Sequence, residues 1–285
     1  MEGGVIVQRT NNNDLSGLNA DKIKIEIKDE SNSTISEISG EEEISLIHTK
    51  KYKEGDKICF TKSSVNKYLV INIDNELSEA LIYVPGNILE FSIPFGDDTI
   101  PYSLSAFKGD MHSINLRFAK EEEIYGYRNL AINVMDQRGD TTYYPHATAN
   151  VETRNEAVFA ARNTIDGQTN NQGHGVWPYE SWGTWQRDDA ELTVDFGREV
   201  EVDKIALYLR SDFPHDTYWN NLTIVFSDGT QMDTQMIKTI DAQYIEFDKK
   251  RVDWVKLMNF KMADEPAEFA ALTEIQVYGI DIKGL

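Results

Sequence analysis

Aromatic and polar residues concentrate in two segments of the second half of the chain, residues 174–185 and 210–221. A flat apolar ring beside side chains that donate and accept hydrogen bonds is the usual lining of a small-molecule site. The same rings could instead close one end of a hydrophobic core, and for each ring taken alone the sequence leaves that open. Together the two segments predict at least one exposed aromatic at a ligand site. They hold four of the five tryptophans: Trp177, Trp182, Trp185 and Trp219.

Three of the five histidines, His146, His174 and His215, lie in the same half, in segments typical of loops. Three imidazoles suit zinc. No His-x-Glu or His-x-x-x-His spacing places two ligands on one element, however, so the sequence favours hydrogen bonding to ligand hydroxyls or to backbone carbonyls.

Signatures of catalysis are missing from the sequence. It contains no Gly-x-Ser-x-Gly, no P-loop, no dinucleotide-binding glycine motif and no His-Glu-x-x-His. Two carboxylates that hydrolyse a glycosidic bond must lie about 5 to 10 Å apart in the folded chain. An acidic site between the two halves therefore stays open as an alternative, and we predict no catalytic residue.

The charge balance limits the possible partners. The 28 Lys and Arg residues stand against 48 Asp and Glu, a net charge of −20, so neither half offers the basic surface that binds nucleic acid or anionic membranes. No apolar run approaches the length of a membrane span, and the first twenty residues lack a signal-peptide pattern. We expect a cytoplasmic protein as written, or an extracellular one if a leader has been removed. The single cysteine, Cys59, is interpreted as a buried structural thiol.

Apolar residues alternate with polar ones along most of the chain, for example at Ile23, Ile25 and Ile27. This period of two, interrupted by Gly, Pro, Asn and Asp, predicts strands. The sequence therefore predicts an all-β protein of two β-sandwich domains, residues 1–140 and 141–285, packed together without a flexible tether. Only residues 155–163 resemble a helix.

Four segments of the second half follow one another in a recognisable order: ARNTIDG at 161–167, LTVDFG at 192–197, VDKIAL at 202–207 and LTEIQVYG at 272–279. This order resembles the discoidin or coagulation factor 5/8 type C family, which includes family 32 carbohydrate-binding modules. The resemblance covers roughly residues 141–281 and says nothing about residues 1–140. It implies that the second domain is a galactose-binding-like jelly roll.

The resemblance also implies a structural calcium ion, with Asp166 and Glu274 at the matching positions. Both offer the oxygen ligands that calcium prefers. The segment between Asp166 and Trp177 is longer here than in the family, so an alternative stays open in which Asp166 caps its loop and Glu274 pairs with a nearby donor.

Sugar recognition in this family comes from loops at one end of the sandwich, which implies non-catalytic binding of a neutral or amino sugar. The alternatives are a protein–protein interaction module and a carbohydrate-active enzyme with an acidic site between the domains. The sequence leaves the oligomeric state open. The residues predicted to bind the ligand are His174, Trp177, Arg210, His215, Asp216 and Trp219.

Overall fold

The computed structural model describes residues 21–139, 141–211 and 217–283, and its regular structure is almost entirely β. A short helix, α1 (Glu121–Tyr125), and four 3-10 turns accompany the strands. None of the helices in these ranges is long and apolar enough to cross a membrane. In chain order the strands are β1 (Ile23–Lys28), β2 (Thr34–Gly40), β3 (Glu43–His48), β4 (Lys57–Lys62), β5 (Lys67–Asn72), β6 (Ala80–Val84), β7 (Ile88–Ser92), β8 (His112–Phe118), β9 (Arg128–Asn129), β10 (His146–Ala149), β11 (Trp182–Gly183), β12 (Leu192–Arg210), β13 (Trp219–Phe226), β14 (Gln231–Gln235), β15 (Gln243–Met262) and β16 (Ala271–Asp281).

The first half forms a sandwich of two four-stranded antiparallel sheets, ordered β2-β1-β4-β7 and β3-β8-β5-β6. Alternate residues of each strand point into the core between the sheets, as Ile23, Ile25 and Ile27 do in β1. Cys59 is buried in β4, and burial, with the nearby Glu90 carboxylate, raises the pKa of its thiol to about 11. The predicted structural role of this cysteine is confirmed, because such a thiol is rarely ionised at neutral pH.

The second half is built on strands of unusual length, β12 and β15, in a sheet ordered β11-β16-β12-β15-β13-β14. Strand β10 adds to β12, and β9 adds to β16. The pairing of β12 with β15 shifts register between Asp195 and Val200 and again between Val202 and Lys204. Such irregularities bend a strand, so the long strands can curve around one apolar core. The predicted all-β fold with two β-sandwich domains is confirmed.

The segment predicted to be helical, residues 155–163, is not an α-helix. It contains 3-10 turns at Thr153–Asn155, Ala157–Phe159 and Ala161–Thr164, and the backbone of Glu156 and Ala160 between them is extended. Most of the segment is buried, so tertiary packing overrides the helical propensity of its alanines.

Residues 130–139 and 141–144 contact both halves of the protein. Leu130 packs in the second core and Met135 in the first. Tyr83 of β6 and Tyr144 exchange two backbone hydrogen bonds, of 2.8 and 2.9 Å. The chain therefore connects the two cores through packed structure, and a boundary at residue 140 stays a prediction.

A buried ion network lies between the halves, centred on Asp281 at the end of β16. Its carboxylate pairs with Arg198 at 2.7 Å and with Arg128 at 2.6 Å, and it accepts a hydrogen bond of 2.6 Å from the Tyr68 hydroxyl of the first sandwich. Burial raises the pKa of Asp281, but the two guanidinium groups and Tyr68 outweigh burial and lower that pKa below its ordinary value. The network thus couples the first sandwich to the last strand of the second.

We expect Asp281→Asn to lower the free energy of unfolding by about 3 to 5 kcal/mol, because it leaves two arginines without their buried counter-charge. In the wild type, ionised Asp281 should contribute its full stabilisation above the pKa of an unfolded Asp, about 3.9. This stabilisation should be lost as the pH falls towards the lower pKa of Asp281 in the folded protein. Urea unfolding between pH 3 and 7 measures both effects. Asp253→Asn, at an exposed and unpaired position of the described chain, is the control and should change stability by less than about 0.5 kcal/mol. Equal stability of the two variants would contradict the importance of the network.

Candidate functional site

A cavity of about 260 Å³ opens where three strands of the second domain meet. Ala271, the first residue of β16, pairs with Gly183 of β11 on one side and with Arg210, the last residue of β12, on the other. The loops that leave these strand ends form the walls. Because the strands fix the backbone here, the side chains at their ends are held in fixed relative positions.

Two exposed aromatic residues line this cavity. The side chain of Trp185 is 58% exposed and that of Phe269 is 53% exposed. Trp185 and Gln186 both have positive φ, 48° and 55°, a conformation that non-glycine residues adopt rarely and that concentrates at functional sites. The cavity therefore presents ring surface to solvent, where a ligand can stack on it.

Polar groups of the cavity include Arg210 and His174. Arg210 is only 5% exposed; its Nη1 donates to Ser181 Oγ at 3.4 Å, and its guanidinium lies 6.0 Å from the Phe159 ring. These contacts hold a permanent positive charge in place at the cavity wall. His174 is exposed and lies between two glycines of its loop.

The structure therefore brings together His174 and Arg210 of the predicted ligand-binding residues. Trp177 is partly exposed but is not among the described lining residues, and its backbone N–H donates to the carbonyl of Ile100 in the first half at 3.1 Å. His215 and Asp216 lie outside the described residues.

The prediction that Trp219 offers a stacking face is wrong. Its side chain is 1% exposed and packs in the core, with its ring centroid 4.7 Å from that of Phe260 and 6.3 Å from that of Trp182. Trp219 begins β13 and is out of phase with the core residues Leu222, Ile224 and Phe226, and two register shifts between Trp219 and Thr223 accompany its burial on the same side.

Sequence reasoning missed Phe269 and left Trp185 out of the predicted contacts. Phe269 lies near the end of the Pro-containing segment 263–270, two residues before β16. An aromatic residue in a loop shortly before a strand was the available signal.

Asp166 and Glu274, the predicted metal ligands, lie in a buried cluster that also includes Glu180. Glu274 Oε2 accepts a hydrogen bond from the Gly167 N–H at 3.3 Å, and Asp166 Oδ1 caps the Gln168 N–H at 2.9 Å. The alternative without calcium, in which Asp166 caps its loop and Glu274 pairs with a nearby donor, predicts these two bonds. Both carboxylate oxygens of Glu180 and Oε1 of Glu274, however, are buried without a hydrogen-bond partner.

Burial raises the pKa of Glu180, of Glu274 and of Asp166. The negative charge of Asp166 raises the pKa of the two glutamates further, whereas the Arg162 guanidinium, 3.4 Å from Asp166 Oδ2, opposes the effect. Three carboxylates thus face one cation in a buried space. Calcium prefers oxygen ligands of this kind. Within the described ranges no three His, Cys, Asp or Glu side chains stand in metal-binding geometry, and backbone oxygens or a shift of side chains would have to complete the shell.

The family model of the F5/8 type C domain matches residues 146–274, which contain both the cavity and the carboxylate cluster. The C-terminal half carries an F5/8 type C domain. No curated protein sequence matches the chain.

Several solved structures of low sequence identity resemble about half of the chain. Chitosan-binding module 1 from a chitosanase/glucanase of Paenibacillus sp. IK-5 is 20% identical, with a TM-score of 0.36, over 53% of this chain and 98% of that module. The lectin domain of lectinolysin, in complex with Lewis B antigen, is 19% identical, with a TM-score of 0.40, over 52% and 94%. The family 32 carbohydrate-binding module of C. perfringens NanJ, in complex with galactose, is 20% identical, with a TM-score of 0.34, over 46% and 91%.

Trp219 and Trp185, two of the tryptophans of the F5/8 type C domain, differ in burial and should therefore differ in their effect on stability. We expect Trp219→Ala to lower the free energy of unfolding by about 3 to 5 kcal/mol, because it leaves a cavity beside Trp182 and Phe260. Trp185→Ala removes an exposed ring and should change stability by no more than about 0.5 kcal/mol. Chemical denaturation of the two variants measures the difference, and a larger loss for Trp185→Ala would contradict the assignment of the exposed ring.

Proposed function

We propose that the F5/8 type C domain binds carbohydrate, without catalysis, in the cavity lined by His174, Trp185, Arg210 and Phe269. The observation that carries this proposal is the pair of exposed rings beside a buried, fixed guanidinium. A sugar ring presents C–H groups on its faces and hydroxyls around its edge, so it needs flat apolar surface and hydrogen-bond donors in the same place.

The size of the cavity favours a small ligand unit. Its volume of about 260 Å³ lies near the lower end of the range for small-molecule sites, about 300 to 1,000 Å³. We expect one sugar ring to stack on Trp185 or Phe269. Its hydroxyls then accept hydrogen bonds from Arg210 and exchange them with His174.

Glu268 is the one carboxylate among the described lining residues of this cavity, whereas hydrolysis of a glycosidic bond requires two. Glu180 and Glu274 are almost completely buried and do not belong to the described lining of the cavity. A glycosidic bond held in the cavity has no direct access to them, although hydrolysis requires a carboxylic acid on each side of that bond.

Binding of the full-length chain to a glycan array, followed by titration calorimetry of the hits, tests this proposal. Trp185→Ala and Phe269→Ala should each weaken binding by about 1 to 2 kcal/mol if the ring is an anchor. Tyr244→Ala removes a ring that is 59% exposed but lies outside the described cavity lining, on the surface of β15, and serves as the matched control. Arg210→Lys keeps the charge but loses the planar group of donors, and it should also weaken binding.

Two outcomes would contradict the proposed sugar site. If no glycan binds, or if hits bind Trp185→Ala and Phe269→Ala as tightly as the wild type, the cavity is not a sugar site. Retained binding to a protein partner through the same rings would then support the interaction-module alternative.

We also propose that calcium binds at Asp166, Glu180 and Glu274 and stabilises the F5/8 type C domain. The support is the excess of buried carboxylate charge and the orphaned oxygens of Glu180 and Glu274. The ion would supply positive charge that Arg162 alone does not balance.

We expect added calcium to raise the melting temperature of metal-stripped protein, because a ligand that binds only the folded state stabilises it. At 100 times the dissociation constant the gain is about 2.7 kcal/mol. The Glu180→Gln variant should lose most of this response, and magnesium at equal concentration is the ionic control. An unchanged melting temperature in the wild type would overturn the calcium proposal.

A further inference from the structure

Two buried histidines, His48 and His112, lie side by side in the first sandwich. His48 ends β3 and His112 begins β8, and the two residues are directly opposite each other in this antiparallel pair. They are 1% and 0% exposed, and their ring centroids are 6.0 Å apart. Histidine changes its charge between about pH 5 and 8. Protonation of the pair would therefore place positive charge inside the protein.

The rings of this pair have few hydrogen-bond partners. The Tyr52 ring lies 4.1 Å from that of His112 and 5.4 Å from that of His48. Both ring nitrogens of His112 and the Tyr52 hydroxyl are buried and have no hydrogen-bond partner in the described chain. His48 Nδ1 lies 2.9 Å from the hydroxyl of Ser36 in β2. A protonated imidazole donates through both nitrogens, so a charged His112 would bury two donors without acceptors.

The nearby carboxylates are already engaged by backbone groups. Asp74, in the loop after β5, places Oδ2 3.8 Å from His112 Nδ1, which is too long for a hydrogen bond. Its two oxygens accept the N–H groups of Phe107 and Glu76, each at 2.9 Å. Asp56, in the loop after β3, accepts a backbone N–H at 2.7 Å. The loops therefore hold these carboxylates short of direct contact with the pair.

On balance the surroundings of His48 disfavour its protonation. Burial lowers the pKa of His48, and His112 and the Lys50 ammonium lower it further, whereas Asp56 opposes the shift. The unfolded chain therefore binds the proton more readily than the folded one. The stabilisation by neutral His48 is complete above the pKa of an unfolded histidine, about 6.5, and is lost as the pH falls towards the lower pKa of folded His48.

His146 of the F5/8 type C domain has the opposite character. Its Nδ1 lies 2.6 Å from Asp136 Oδ1. Burial lowers the pKa of His146, but the hydrogen bond to this carboxylate outweighs burial and raises that pKa. The contribution of charged His146 is present below about pH 6.5 and is lost as the pH rises through the raised pKa. Mild acid therefore acts against the buried pair of the first sandwich and not against this histidine.

Strand β3 is the element that can respond to charge on the pair. Its sheet is ordered β3-β8-β5-β6, so β3 lies at the edge and has β8 as its neighbour. An edge strand separates at the loss of one ladder of hydrogen bonds, and such local opening costs less free energy than unfolding of the whole chain.

We infer that the His48–His112 pair is an acid-sensitive switch: protonation at mildly acidic pH separates β3 from β8 while the F5/8 type C domain stays folded. Two charged rings on directly opposite residues repel each other. Separation of the strands exposes both rings to water, which supplies the acceptors that the buried site lacks. The switch uses neither the cavity nor the carboxylate cluster, so it is independent of the proposed function.

Hydrogen exchange of the full-length chain, measured by mass spectrometry at about pH 7.5 and about pH 5.5, tests the switch. The protection of amides in β3 and β8, corrected for the intrinsic exchange rate, should fall about tenfold at the lower pH for each histidine that gains a proton only on opening. Protection in β13 and β15 of the F5/8 type C domain should change by less than about threefold.

Two substitutions separate the charge of the pair from its packing. His112→Phe keeps a ring against Tyr52 that cannot be protonated, and His48→Asn keeps a polar group for Ser36. In the double variant the protection of β3 and β8 should change by less than about twofold between the two pH values. His174→Asn removes an exposed histidine of the second half and is the control, which should keep the wild-type response.

Three results would overturn the switch. The first is unchanged protection of β3 and β8 in the wild type, and the second is an equal fall in the double variant. The third is a loss of protection along the whole chain, which would indicate global acid unfolding. If the double variant does not fold, an NMR titration of the wild type decides: the imidazole of His48 should titrate below about pH 6.5, and titration above it contradicts the inference.

Discussion

The burial of the Arg162 guanidinium is the constraint around which the two halves are arranged. A buried charge is tolerated only where neighbouring groups replace the water it has lost. Arg162 Nε donates to the backbone carbonyl of Asp136 at 2.8 Å, its Nη1 lies 3.4 Å from Asp166 Oδ2, and its guanidinium stacks 4.9 Å from the Tyr102 ring. These partners come from the first half, the connecting segment and the F5/8 type C domain. The requirement to satisfy one cation therefore fixes three parts of the chain against one another.

The carboxylates around Arg162 lie in or beside the segments that form the cavity. Asp166 is in the turn that leads to the loop of His174, Glu180 lies two residues before β11, which leads to Trp185, and Glu274 is in β16. One guanidinium does not neutralise three carboxylates, so the excess negative charge must be taken up by protonation or by a bound cation. A proton or a cation on these carboxylates would therefore act on segments that also form the walls of the cavity. The buried charges and the cavity lining thus lie on neighbouring parts of the same segments, although different side chains form them.

The sequence alone predicts the strands, but it does not predict which side chains line the cavity. Strands follow from a local period of two, which the chain displays wherever one face of a sheet is buried. Trp185 and Trp219 lie in equally aromatic segments, and only the pairing of β13 with β15 shows that the latter ring is buried. Glu180 joins Asp166 and Glu274 through tertiary contact alone. The helix expected at residues 155–163 failed for the same reason, because residues 157–163 are all buried and leave no polar face of the kind an amphipathic helix needs.

The first sandwich has a physical connection to the end of the F5/8 type C domain where we propose that the ligand binds. The carbonyl of Ile100 accepts the N–H of Trp177, three residues after His174, and Tyr102 covers the Arg162 guanidinium that restrains Asp166. The loop of His174 is therefore held from both sides, by its own domain at Asp166 and Glu180 and by the first half at Ile100. A loop fixed at both ends loses less conformational entropy when a ligand binds. The first half thus contributes to the geometry of the cavity without lining it, and the packed connection at residues 130–144 is what makes that contribution possible.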